Sequence, residues 1–476
     1  MRGSSSSPGR DRLSAPASVD QGDLQGNVLC GYGNSFPHGL YAFVQVGDGA
    51  AGRRLLGELA EQVTDAVPWR TKPERTVNVA LTHIGLANLG VREELLRSFP
   101  PEFQAGMGSR AGQLGDTGRS SPDCWDEGLR PGKLELLVTS VAQSPRGRAR
   151  LRDWLRRRVA PEPGLSIVNE QEADLLGNPA ENEAVREHFG FADGLCQPTI
   201  EDERAGPNYQ KGRGTPMRFG RWADLAPGEF VLGYRDEDGL VADAPAEPLR
   251  QSGTFMVVRK LYQDVGAFTS YLSEAAQRRD IPEELLAAKI VGRWRNGAPL
   301  SLAPDREDPS LTMGGKRQDR LNDFRYSSDG KGLKCPIGAH IRRANPRDAL
   351  GWRGALSKRH RIIRRGMPYG PTFEDRPAQL RDADRGLMFV CYQASIERQF
   401  ELVQARWLAD GDAFGLGSDR DPLVTEDPNG KMTVQGEPPK FLASLPSFVT
   451  TKGGDYFFTP GVKVLRALAS GELGGA

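Results

Sequence analysis

A chain of 476 residues exceeds what one hydrophobic core usually fills, so two modules, or one module duplicated, are expected. Its 63 basic and 62 acidic residues nearly cancel, which argues against a nucleic-acid or membrane surface as the main partner. A hydrophobic content of 38% excludes wholesale disorder.

The five cysteines, Cys30, Cys124, Cys196, Cys335 and Cys391, are widely spaced and contain no CxxC pair. A disulfide framework or a structural zinc site is therefore not expected. Residues 1–20 are rich in Ser, Gly, Pro and Arg and read as a disordered tail with no signal-peptide core. No apolar run is long enough to span a bilayer. The expected location is cytoplasmic, with no membrane partner; a homo-oligomer is compatible with all of this.

Ordered sequence begins at DLQGNVLCGYG, from Asp23. Leu40–Gly47, the run from Thr76 (TVNVALTHIGL) and the run from Leu134 (LELLVTSV) read as strands. Arg53–Val63 and Arg148–Val159 carry apolar residues at helical spacing, and a strand is expected around Leu165–Asn169. Residues 201–238, rich in Gly, Pro and charge, read as a connection. The grammar then repeats. GTFMVVRKL from Gly253 is a strand, followed by a helix through Tyr271; a second helix starts with Asp280 as N-cap and Pro282 in its first turn. LMFVCYQASI from Leu387 is a strand, an amphipathic helix carries Phe400, Val403 and Trp407, and DYFFTP from Asp455 is a last short strand. The pattern predicts α+β layers, sheets with helices packed on them.

Three constellations could carry chemistry. Of the five histidines, His38 and His83 fit structural or exposed positions, and His188 and His360 sit in charged strings that read as exposed. His340 differs: KCPIGA precedes it and IRRANPRD follows. A neutral imidazole suits haem iron, the small residues Gly338 and Ala339 would admit a flat macrocycle, and the arginines beyond could meet carboxylates. A surface histidine beside arginines fits the same string. Asp193 stands in GFADG between two phenylalanines, where burial would raise its pKa and suit it to acid–base work, or where it makes an Asx-turn. RHRIIRRGMPYGP, from Arg359, holds an inward apolar pair and then arginines fit to stabilise an anion, or serves as a basic edge strand.

Their order along the chain adds to this. GFADG, CPIGAHIRRANPRD, IIRRGMPYG, GLMFVCYQASIERQFELVQ and GGDYFFTP, with the opening DLQGNVLCGYG and the segments LAPGEFVLGY and VGRWRNGAPL, resemble the dye-decolourising peroxidases from about Asp23 to Pro460. The longer members are the nearest match, with Gly366 following the arginine pair.

The resemblance implies two ferredoxin-like modules of the dimeric α/β-barrel type, antiparallel sheets with peripheral helices. The expected limits are 21–200 for the first module and 239–476 for a haem-binding second. It implies one haem b per chain with His340 as the iron ligand, Asp193 and Arg364 as the catalytic pair, Arg347 at a haem propionate, and Leu387 and Phe389 lining the haem. Arg364 is matched by its place three residues before Met367, with Arg365 as the alternative. Asp421 is matched as the carboxylate behind His340, with Glu397 and Glu401 as rivals. The implied activity is reduction of hydrogen peroxide coupled to single-electron oxidation of a bulky organic donor such as a dye or phenol. Donors too large for the pocket would react at the haem edge or through surface tyrosines or tryptophans. A haem-binding or haem-storage protein with little turnover is the alternative.

Overall fold

The structure is a computed structural model that describes residues 18–177, 184–200, 223–372, 383–427 and 429–475. Most of the expected tail and of the 201–238 connection lies outside these residues.

The apolar runs become strands buried on both faces. In β1 (His38–Val46), Leu40, Ala42 and Val44 join one core while Tyr41 and Phe43 join another, as a period of two requires. The first module continues with β2 (Asn78–Leu81), β3 (Leu136–Ala142) and β4 (Leu165–Asp174). The second holds β5 (Thr254–Gln263), β6 (Ile363–Arg364), β7 (Met367–Tyr369), β8 (Gly386–Gln393) and β11 (Val449–Thr459). A separate hairpin is made by β9 (Gly430–Val434) and β10 (Lys440–Leu445).

Strand order is β4-β1-β3-β2-β11-β5-β8-β6, with β7 also on β8. Each half thus repeats the fourth-first-third-second order of a ferredoxin-like module, with all pairs antiparallel. The halves join where Leu81 of β2 pairs with Phe458 of β11. The far ends also meet, β4 against β7, and on the neighbouring β1 a Cβ on Gly39 would lie 2.7 Å from Met367 Sδ of β7. The sheet thereby encloses a core drawn from both modules, with Tyr41, Phe43, Leu137, Met256, Met388 and Phe457 in it. Helices Gly49–Ala60, Pro145–Val159 and Val462–Ser470 cover the outer face. A further core, around Phe268, Leu286, Trp294 and Phe448, packs helices Val265–Arg279 and Glu283–Val291 beside the second module.

Some expectations change. The strand expected through His83 stops at Leu81, because Thr82 Oγ1 accepts from Gly85 N at 3.1 Å and caps a helix that His83 opens. Asp280 is no N-cap. It takes the left-handed conformation (φ 49°) that ends helix Val265–Arg279, and Pro282 stands just before the next helix. The expected strands at Leu165 and Asp455 belong to longer ones, because barrel partners flank them.

Gln25 ties the join together. Its amide donates to Val79 O (2.8 Å) and Pro460 O (3.0 Å) and accepts from Val79 N (2.8 Å), all buried. Gln25→Ala strips these backbone groups of a partner at about 1–3 kcal/mol each. A loss of about 3 kcal/mol is expected, read as a lower urea midpoint.

Asp455 Oδ1 accepts from Met107 N and Tyr456 N, each at 2.8 Å. Burial pushes this carboxyl from 3.8 up to about 6. The folded state therefore holds its proton more tightly than the unfolded chain, and the associated stability is lost as pH rises through about 6. Asp455→Asn keeps the accepting oxygen without titrating. Its stability relative to wild type should rise between pH 4 and 6 (roughly the span of the two pKa values) in denaturant melts.

Candidate functional site

A cavity of about 320 Å³ lies against the outer face of the second module's sheet. Strand alternation selects its wall. On β5, Arg259 and Leu261 face the cavity while Val258 enters the barrel core; on β8, Leu387 and Phe389 face it while Met388 and Val390 turn inward. Register sets Arg259 opposite Phe389 and Leu261 opposite Leu387. The helix Ile396–Leu408, wound with the wider π-type hydrogen bonding, adds Phe400, Val403 and Gln404.

His340 opens the short helix His340–Ala344 and lines the cavity. Its Nδ1 lies 2.9 Å from Asp421 Oδ2. The Asp421 side chain is fully buried, and its Oδ1 accepts from Leu423 N and Val424 N at 3.0 Å each. Burial alone would raise the Asp421 carboxyl, but the His340 ring and these two amides outweigh it and hold it below the usual carboxylate range. Burial likewise works against a charged His340 ring, yet Asp421 outweighs it and raises the imidazole pKa. With Nδ1 committed, Nε2 makes no hydrogen bond among the described residues. The two rivals lie elsewhere: Glu401 is ion-paired with Arg110 and accepts from Tyr456 Oη at 2.8 Å, and Glu397 is exposed.

Asp193 and Arg364 share the cavity wall. Arg364 Nη1 lies 3.4 Å from Asp193 Oδ1 and Nη2 3.4 Å from Cys196 O, while Gly194 N donates to the same carboxylate oxygen at 2.6 Å. Both glycines of the motif need left-handed backbone, Gly190 at φ 89° and Gly194 at φ 71°. The sealed apolar setting expected for Asp193 is absent. Phe189 and Phe191 line the cavity too but pack on Phe268, and the Asp193 side chain is 32% exposed. Arg365 points to the other side, donating to Asn27 O (2.9 Å) and to Val28 O and Leu29 O, and is not part of the wall.

Arg347, itself left-handed (φ 51°), stacks its guanidinium 3.7 Å from the Phe324 ring centre and donates to Asn322 O at 2.9 Å. It belongs to a larger cluster that sequence reasoning did not single out. Arg293, held by Gly297 O, Leu321 O and Asn322 Oδ1, and Arg361, 3.6 Å from Cys196 Sγ, line the same cavity. Burial, and then Arg347 beside it, lowers Arg293 to about 10. Burial would raise the Cys196 thiol, but Arg361, Arg347, Arg293 and Arg364 pull it down to about 7. That much positive charge at low dielectric is a site for anions. The arginines directly after His340 play no part in it. Arg342 is tied to Asp329 and Cys335 O, Arg343 to Trp407 O.

Two other histidines depart from the sequence expectation. His188 is buried, with Nε2 2.7 Å from Tyr369 O, and burial lowers its pKa to about 4. His360 is half-buried on the cavity wall, with Nδ1 2.6 Å from Arg398 O and its ring edge-on to Trp407. The arginines around both kept them looking solvated, since a guanidinium stem can cover a neighbour while its head stays wet.

Comparison with known proteins agrees with this architecture. Residues 236–415 match the family model described as Dyp-type peroxidase, C-terminal. The chain is 30% identical, over 96% of its length and 89% of the relative's, to dye-decolorizing peroxidase msp1 of Mycetinis scorodonius. It is 31% identical to the multifunctional dye peroxidase DyP2 of an Amycolatopsis strain, over 82% of each chain. A crystal structure of a decolorizing peroxidase from Auricularia auricula-judae superposes with a TM-score of 0.78 at 26% identity, covering 96% of this chain and all of that one, 100%. A dye-decolorizing peroxidase in complex with 2,6-dimethoxyphenol gives 0.77 at 26% identity, covering 95% and 100%. Similarity of this extent, in sequence and in fold, makes the chain a peroxidase that belongs to the dye-decolourising peroxidase family.

Proposed function

We propose that this peroxidase holds haem b in the cavity through His340, reduces hydrogen peroxide there, and oxidises bulky organic donors, dyes and phenols among them, in single-electron steps. The supporting observation is that one cavity brings together an imidazole fixed by a buried carboxylate, a carboxylate–guanidinium pair and a cluster of arginines. These donors fit haem: a basic nitrogen that makes no hydrogen bond among the described residues, positive charge for two propionates, and the apolar side chains of Leu387 and Phe389 for the macrocycle.

Haem, when bound, supplies a redox-active iron with an open coordination position. His340 offers Nε2 because its Nδ1–H is given to Asp421, which also makes the ring more electron-rich. Arg347, with Arg293 and Arg361, would hold the propionates through charge-assisted hydrogen bonds. Asp193 would take a proton from one oxygen of hydrogen peroxide and hand it to the other, so that this second oxygen could leave as water, while bound haem would supply the two electrons that cleavage of the O–O bond consumes. Arg364 offsets the negative charge that builds on the departing oxygen. Leu387 and Phe389 limit water on their side of the cavity.

Haem storage without turnover would need the ligand and the arginine cluster, but not Asp193 paired with Arg364. The pair therefore favours catalysis.

His340→Ala should lose the Soret band when haem is supplied in equal amount, with the fold retained by circular dichroism. Arg364→Leu should keep the band yet react with peroxide about 100–1,000-fold more slowly in stopped-flow mixing. Asp193→Asn should show a comparable defect, and wild-type peroxide rates across pH would remove Asp193 from the mechanism.

A further inference from the structure

The loop that delivers Asp193 has no regular secondary structure, yet it is pinned at many points. Asp193 N donates to Val185 O at 2.9 Å, Glu187 N to Phe191 O at 3.1 Å and Gly190 N to Glu187 O at 2.8 Å, so the chain doubles back on itself. Inside this fold-back sits the carboxylate of Glu187, a residue the mechanism above does not use. Its Oε1 accepts from Phe191 N at 2.9 Å. Its Oε2 accepts from Phe189 N at 2.9 Å and from Gln263 Nε2 at 2.6 Å. Gln263 is the last residue of β5, and its backbone N–H donates to Arg385 O at 2.9 Å.

The three donors come from two sources, the loop backbone and a strand of the barrel. A turn by itself needs no carboxylate at that position. An ionised acceptor bonds N–H groups about twice as strongly as a neutral one, and here it couples the mobile kind of element to the rigid kind. Glu187 and Gln263 also line the cavity that Asp193 enters.

We propose that Glu187 is a positioning residue for peroxide activation: its carboxylate ties the Phe189–Gly194 loop to the end of β5 and so fixes where Asp193 meets Arg364. This rests on the reading of Asp193 as proton carrier. Glu187 itself touches neither peroxide nor the transferred proton.

The test uses the full-length haem-loaded protein and the variants Glu187→Gln, Gln263→Leu, Asp193→Asn and the double variant Glu187→Gln with Asp193→Asn. Glu187→Gln keeps the size but turns one accepting oxygen into an NH₂ group that faces an N–H donor. Amide hydrogen exchange at residues 189–194 should quicken about tenfold or more in that variant, with protection of the barrel strands unchanged. Its peroxide step should slow about 10–100-fold, while single-electron reduction by the organic donor keeps its rate. In the Asp193→Asn background the same change should add nothing further. Gln263→Leu, which leaves both backbone bonds to Glu187 in place, should give the same pattern at smaller size and keeps the test available should Glu187→Gln misfold. Unchanged exchange in the loop overturns the hold of Glu187 on it. A rate loss that adds in full to that of Asp193→Asn overturns action through Asp193. Wild-type peroxide rates in Asp193→Asn alone would sink the proton-carrier reading and the catalytic part of this proposal, a result distinct from unchanged exchange.

Discussion

The hydrogen bond between His340 and Asp421 is the constraint around which the site is arranged. An imidazole can present either nitrogen, and only a fixed acceptor on one of them decides which faces the cavity. Asp421 is suited to that because it cannot move: its side chain is fully buried and two backbone amides hold its second oxygen. A buried carboxylate without such partners would take up a proton and lose its grip on the ring. The same two amides belong to Leu423 and Val424, which line the cavity, so the segment that fixes the carboxylate also shapes the space beside the ring.

The rest of the wall follows from strand geometry. The barrel consumes one face of β5 and β8, and alternation leaves the other face to the cavity, which is why Leu387 and Phe389 appear together and Met388 does not. The same parity separates Arg364 from Arg365 in adjacent positions: one faces Asp193, the other closes the carbonyl end of the Gly26–Leu29 turn. A slip of one residue in β6 would exchange their roles. The arginine cluster is the costly part. Several guanidiniums gathered at low dielectric lose hydration and repel one another: burial first, and then Arg347 beside it, lowers the pKa of Arg293, and such an arrangement is stable when an anion joins it.

Much of the scaffold was legible from residues alone. Glycine-bounded apolar runs such as Leu40–Gly47 and GTFMVVRKL marked β1 and β5, because a strand buried on both faces has little freedom in composition. The β9–β10 hairpin was not legible, since GKMTV and KFLASL are short and of mixed polarity. Asp280 misled because aspartate suits both an N-cap and a left-handed position. In the candidate site, the sequence motifs offered His340, Asp193 and the Arg364–Arg365 pair beside ordinary structural readings; the family resemblance selected Arg364 and suggested Asp421, which lies 81 positions from His340. Arg293, Arg361 and Cys196 were visible as residues. Nothing in their local strings distinguished a cavity arginine from a surface one.

A crystal structure of the haem-loaded protein tests the central claim most directly. The account predicts iron bound by His340 Nε2, with Asp421 still on Nδ1 and with Asp193 and Arg364 over the opposite face of the porphyrin. Iron held by another residue, or Asp193 and Arg364 on the same face as His340, would contradict it.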